Sequence, residues 1–440
     1  MRIIYSWILI LLNVPILAQE LSYSKDIAPI ILENCLSCHR ENGYAPFGLE
    51  NYEDVKKRGD FIKYVTETRY MPPWQADPHY RSFAHERLMT QDDIEKIKLW
   101  VESGMPKGKK KNLPKLPEYS SGSQVLGRLP DLRLKMTEPF LVKGDNKEYY
   151  ICYKIPYEIE RDTFVEIIEF IPGNKNVVHH SSYQILGVEN EIDVYKKPYY
   201  YIYQDNDRVN DEHEYNYFNL VSEDGTFPKE TYHGGWLPGV SPQEYPEGMG
   251  FVLPKKGAIL IRTLHYSPTP IDEYDQSYFN IFFAEKPIER TIQFAAFKPQ
   301  NVKSGFFIPA DSIYTHSFFV RIRSDVSMLN INPHMHKLGK SFRSFAIKPN
   351  GDTIALVNIP KWDFNWQDFY RFKTIQKIPK GSVLHVIATY DNTSKNSENP
   401  FFPPRNIFFE SGSMADTEEM MRLSFLYLPY LDGDENINLE

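Results

Sequence analysis

Beyond Leu132 the chain is written in short runs of β-branched and aromatic residues, broken at intervals by Pro, Gly, Asn and Asp. No other feature constrains the fold as strongly. Runs of this kind occupy residues 148–155, 163–170, 258–266, 318–322, 342–347, 383–390 and 423–427. Many short strands with turn signals between them favour antiparallel sandwiches over a parallel sheet. A joint near residues 287–290 divides this region into two expected all-β, jelly-roll-like sandwiches, 131–288 and 289–432, before an acidic tail at 433–440. Aromatic residues, 15% of the chain, supply enough bulk for sizeable cores.

The preceding stretch has a different periodicity. Ile27, Ile30, Ile31, Asn34 and Cys35 recur at helical spacing on one face. Further on, Thr90 is placed to cap a helix with Asp93 three residues later. Ile94, Ile97, Trp100 and Val101 give that helix an apolar stripe, and Gly104 and Pro106 end it. Residues 19–107 are therefore expected to form an all-α domain, joined to the sandwiches by a Lys-, Pro- and Ser-rich linker at 108–130. Residues 1–18, with Arg2 ahead of a short apolar run and Ala18 at its exit, read as a secretory signal peptide, which implies a periplasmic or secreted product. A retained anchor is the alternative, although the run is short for a bilayer. No later segment approaches ~20 apolar residues, so no membrane span is expected in the mature chain. A net charge of −8 argues against nucleic acid or an anionic membrane as partner.

Only three cysteines occur, so no disulfide framework is expected in this exported chain. Two of them fall in Cys35-Leu36-Ser37-Cys38-His39, a CxxCH motif. This spacing allows two thiols to attach a haem covalently and places His39 as its proximal ligand. A zinc site would need more thiolates nearby, and a thioredoxin-like site would need a βαβ setting. The α-helical region is accordingly expected to be a cytochrome c domain carrying one haem c. Met71, stiffened by Pro72 and Pro73, is the favoured sixth ligand; Met89, Met105, His79 and His85 are competitors.

The β-rich region carries three histidine groups and a late methionine. These are His179-His180, His265-Tyr266, His334-Met335-His336 and Glu418-Glu419-Met420-Met421. On a strand, His334 and His336 share a face, whereas His179 and His180 do so only at a strand end or bulge. Imidazole suits copper, zinc and iron alike, and an added thioether favours copper. His213, His233, His316 and His385 are read as ordinary surface or hydrogen-bonded residues.

Taken in order, HH, HY, HxHxLGK and an acidic pair before methionine resemble the copper type II, ascorbate-dependent monooxygenases, the family of the peptidylglycine α-hydroxylating and dopamine β-hydroxylating enzymes. The resemblance runs from about Leu132 to Tyr430 and takes in Gly235-Trp236-Leu237-Pro238-Gly239 and Tyr245-Pro246-Glu247-Gly248. The MPPW-bearing region before it resembles haem modules fused to bacterial members of the family. The resemblance implies two copper ions: one on His179, His180 and His265 for electron transfer, and one on His334, His336 and Met420 where dioxygen is used. Dioxygen and a small-molecule or peptide substrate are then the reactants, and a C–H bond is hydroxylated. Electrons would come through the haem, from ascorbate or from a donor protein.

Three departures from the family pattern matter. Cys152 stands where the family has a disulfide cysteine, yet no partner is present for it. Asn332 and Ser424 occupy the positions at which peptidylglycine enzymes grip a carboxylate with arginine and tyrosine. Met420 and Met421 are adjacent, with register favouring Met420. The competing function is a non-catalytic copper- and haem-binding protein for electron transfer or copper storage.

Overall fold

The computed structural model describes residues 21–41, 43, 45–117, 122–125, 127–203, 210–297, 306–408 and 419–440. The expected signal peptide, parts of the expected linker (118–121 and 126) and Glu418 lie outside the described residues. The chain divides into two units.

The first unit comprises 21–36, Leu49–Pro72 and Met89–Leu116. A π-helical turn, Tyr23–Ile27, runs into helix α1, Ala28–Asn34; α2 is Tyr52–Lys57, α3 Gly59–Glu67 and α4 Gln91–Glu102. Asn51 and Thr90 cap α2 and α4 by accepting from the backbone N–H three residues on, as the Thr90–Asp93 spacing predicts. Ile27, Ile31, Val55, Ile97 and Trp100 are buried, and the Trp100 indole N–H donates to Pro106 O at 3.0 Å.

The expectation of an all-α cytochrome c domain over 19–107 is not met. The structure is mostly β, 38% strand against 13% helix, and the five helices among the described residues are all short. Moreover, Ser37–Gly48 and Pro73–Leu88 belong with the β-rich second unit. The physical reason lies in two apolar side chains of the inter-helix stretch. The ring of Trp74 meets that of Tyr370 edge-on at 5.2 Å, and Phe83 stacks on Phe372 at 5.7 Å, so both join the β core. Helical periodicity on either side of that stretch carried no information about where these rings would be buried.

The second unit contains the sheets. In its first half a five-stranded antiparallel sheet has the order Tyr200–Ile202, Tyr149–Glu158, Lys256–Tyr266, Val178–Gly187, Lys229–Trp236. A six-stranded sheet accompanies it, built on Leu132–Lys135, Tyr278–Phe283, Thr163–Ile171, Met249–Leu253 and Arg290–Thr291, with Gln243–Glu244 alongside. The remaining helix, α5, is Asp211–Tyr217. In the second half one four-stranded sheet runs Gln293–Phe297, Arg422–Pro429, Val326–His334, Tyr370–Ile378. Another runs Ser312–Arg321, Val383–Asn392, Gly339–Ile347, Thr353–Ile359.

Burial along Val383–Asn392 alternates residue by residue, as expected for a strand with one face on a core. Tyr153, Ile261 and Phe279 are fully buried in the first half, and Phe342, Phe372 and Tyr390 in the second. Cys152 is a buried free thiol, its pKa raised far above the usual range by burial. No helix among the described residues is long and apolar enough to cross a membrane.

Candidate metal centres

His265 and His180 face each other across the Lys256–Tyr266 and Val178–Gly187 pair. The next rung joins Tyr266 to Val178, which leaves His179 as an extra residue. That is a β-bulge, and it breaks the strict alternation that would send neighbouring side chains to opposite faces. Both imidazoles can therefore converge with His265. The Nδ1 atoms lie 3.1 Å apart for His179 and His180, 3.1 Å for His179 and His265, and 3.3 Å for His180 and His265.

The triangle fits a metal ion. Two donor atoms each ~2.0 Å from one ion at a tetrahedral angle are ~3.3 Å apart. Three imidazole nitrogens this close cannot all donate to one another, and a central cation removes the conflict. Burial, with the charge of His265, pushes His179 down to about 4; burial, then His265 and His179, push His180 well below its ordinary value. Both rings are thus neutral at pH 7, the form a metal requires. Among the described residues this is the cluster of His, Cys, Asp or Glu with metal-binding spacing.

Supporting groups surround His265. Tyr150, its cross-strand neighbour, stacks on the ring at 4.2 Å, and its hydroxyl donates to Glu148 at 3.1 Å. The same carboxylate lies 3.6 Å from His265 Nε2 and 3.8 Å from Lys337 Nζ. At these distances Glu148 interacts electrostatically with His265 and Lys337 rather than by hydrogen bonds.

The second group is assembled at the end of a strand. His334 is the last residue of Val326–His334, and His336 lies just past it, so the two do not sit side by side on one strand as expected. Their rings are nevertheless 5.1 Å apart, nearly perpendicular. His334 Nδ1 meets Gln367 Oε1 at 2.5 Å, while the Gln367 amide N–H₂ donates to Phe364 O at 3.0 Å. The second bond fixes the amide's orientation, so Oε1 can only accept; Nδ1 carries the proton and Nε2 the lone pair. Burial, with the charge of His336, holds His334 down to about 3 against the Gln367 bond, so the ring is neutral.

Glu419 ties the methionine to this pair. Its buried carboxylate accepts from the backbone N–H groups of His336 at 2.6 Å, Leu338 at 2.9 Å and Met420 at 2.8 Å. Burial pushes the carboxyl up to about 8 even against these three donors. Tyr390 OH donates to Met420 O at 2.9 Å, fixing that backbone from the other side. Met421 is fully buried in the hydrophobic core, whereas Met420 is only half-buried, and Glu419 Oε1 accepts from the backbone N–H groups of both Met420 and His336. Asn332 and Ser424 are engaged locally: Asn332 donates to Asp368 O at 2.7 Å, and Ser424 Oγ donates to Asn332 Oδ1 at 3.2 Å.

The two groups meet at Phe364. Its ring lies 6.1 Å from that of His179 and 5.8 Å from that of His336, so those imidazoles are separated by no more than the sum of the two. Of the CxxCH residues, Cys35 caps α1 in the first unit, which also holds Met71, whereas Cys38 and His39 belong to the second. His39 Nδ1 is 3.1 Å from Phe47 O, a bond that puts the proton on Nδ1 and the lone pair on Nε2.

Sequence reasoning gave no role to Gln367, Phe364, Glu148 or Tyr150. Only Glu419 carried a signal, as part of the acidic pair before the methionine.

No family model matches this chain, and no curated protein does. Among solved structures, the infectious bursal disease virus VP2 subviral particle is 11% identical, covering 70% of this chain and 76% of that one at a TM-score of 0.18. The PBSX exported protein XepA is 9% identical, covering 64% of this chain and 92% of that one at a TM-score of 0.17.

Proposed function

We propose that this chain is a copper-dependent monooxygenase that hydroxylates a C–H bond with dioxygen, exported to the periplasm or beyond. The observation that carries the reading is the pairing of a three-imidazole group with a second histidine pair, His334 and His336, brought together at one aromatic ring, Phe364. His179, His180 and His265 would hold one ion, and His334, His336 and Met420 the other. Copper bound there would supply one-electron chemistry, with the thioether favouring the reduced ion at the second centre.

The chain's own residues do the rest. Gln367 presents Nε2 of His334 as the donor atom, and Glu419 holds the backbone of His336 and Met420 in one geometry. His179, His180 and His334, held neutral, need no deprotonation before binding. A haem attached covalently at the Cys35-Leu36-Ser37-Cys38-His39 motif is proposed as the electron source, with ascorbate as the alternative reductant. Its support is the motif together with the His39 tautomer. A pyridine haemochrome spectrum that survives acid-acetone extraction tests the attachment.

The function is tested by loading the purified chain with copper, adding ascorbate and screening amines, phenols and peptides for substrate-dependent oxygen uptake. One oxygen consumed per hydroxylated product supports the reading. Two bound coppers that cycle with reductant but give no product would favour an electron-transfer or storage protein.

A further inference from the structure

The segment that left the expected helical domain does more than fill the β core. Within the second unit, Gln75 makes three bonds to one loop: its amide N–H₂ donates to Asp363 O at 2.8 Å and to Trp366 O, and its Oε1 accepts from Asp363 N at 2.9 Å. Arg87 holds the far end of that loop through an ion pair with Asp368, a half-buried guanidinium against a buried carboxylate. The same guanidinium donates to Pro73 O at 3.1 Å and Gly239 O at 3.0 Å, and it lies over the Trp74 ring at 5.5 Å. Between these two fixed points the loop carries Phe364, which touches both histidine groups, and Gln367, which sets the His334 tautomer. Residues 360–369 form bends and turns with no strand; besides Gln75 and Arg87, Asn332 holds Asp368 O at 2.7 Å, the Trp362 N–H donates to Lys340 O at 2.9 Å, and Trp362 is buried in the core. A loop without a ladder is positioned by whatever pins it.

We propose that Pro73–Leu88 is an integral part of the His334–His336–Met420 centre, with Gln75 and Arg87 as positioning residues that set the His334 imidazole through the loop. The proposal rests on the copper reading for its metal readout only. It changes what removing the N-terminal region should do: the three-histidine centre keeps its own strands and the second centre loses its frame.

The test uses the full chain and the variants Gln75→Ala, Arg87→Gln and Arg87→Lys. Arg81→Gln is the control, because Arg81 anchors the same segment to Ala355 O at 3.0 Å and to Gln376 rather than to the loop. In competition with a chromophoric copper(I) chelator, Gln75→Ala and Arg87→Gln should weaken the second centre ~10- to ~100-fold, the usual effect of losing a supporting partner. The three-histidine centre should be unchanged. Arg87→Lys should recover part of the loss, and Arg81→Gln should lower the melting temperature without altering either affinity. In parallel, nitrogen-15 spectra of metal-free, histidine-labelled protein should show His334 locked with its proton on Nδ1, and a tautomer mixture in Gln75→Ala and Arg87→Gln. Equal weakening of both centres, or an unchanged His334 tautomer in both variants, overturns the proposal. Absence of metal at the second centre in the unmodified chain would instead refute the copper reading, and the tautomer result would still decide this one.

Discussion

Replacing Glu419 with alanine should be the most damaging single change near the candidate centres that leaves every proposed ligand in place. The carboxylate satisfies three backbone donors, those of His336, Leu338 and Met420, and is 4% exposed. Each buried N–H left without an acceptor costs about 1–3 kcal/mol. The three share one cavity and one potential water, so their costs will not add fully. A loss of about 3–5 kcal/mol is expected, large for one substitution. Glu419→Gln keeps one acceptor oxygen but turns an amide N–H₂ toward a backbone donor, and about half that loss is expected. Urea unfolding of metal-free protein measures both, with copper titration alongside. The second centre should lose its metal in Glu419→Ala while the three-histidine centre fills normally. A destabilisation under 1 kcal/mol with both metals retained would refute the reasoning that this carboxylate holds the turn.

Other outcomes follow from the same geometry. His180→Ala should abolish metal binding at the three-histidine centre and spare the second, as equilibrium dialysis would show. Peptides ending in glycine should be poor substrates, because Asn332 and Ser424 bond to each other and to Asp368 O rather than offering a charged clamp; efficient glyoxylate release would contradict this. Asp434 is held below the ordinary aspartate value: burial opposes this, but hydrogen bonds from Arg290, Ser327 and the Leu431 N–H outweigh it. Its contribution to stability is therefore present above the unfolded value near 3.8 and lost as pH falls through the lower folded value. Asp434→Asn should accordingly be less stable than the parent at pH 6, with the gap closing below pH 3.8 in thermal melts.

How much of this was legible depended on whether the relevant partner was local. The β texture after Leu132 and the capped helix at Thr90 are short-range signals, and both appear in the structure. The bulge at His179 was inferable because adjacent histidines on a regular strand cannot share a face. The all-α expectation failed because Trp74 and Phe83 reach Tyr370 and Phe372, nearly three hundred residues away, and no local pattern encodes that choice of core. Gln367 was invisible for the same reason, since its role exists only once the fold places it behind His334. Burial separates Met421, which is fully buried, from Met420, which is half-buried, a difference that adjacent identical residues do not reveal.

The central claim is that two chemically different copper centres exist in one chain. X-ray absorption at the copper edge, with metal stoichiometry on the reduced, loaded protein, tests it most directly. Two coppers per chain are expected, with a shell of imidazole nitrogens and a sulphur scatterer corresponding to one of the two ions, lost in Met420→Leu but kept in Met421→Leu. A single copper per chain, or no sulphur in the shell of the unmodified protein, would contradict it.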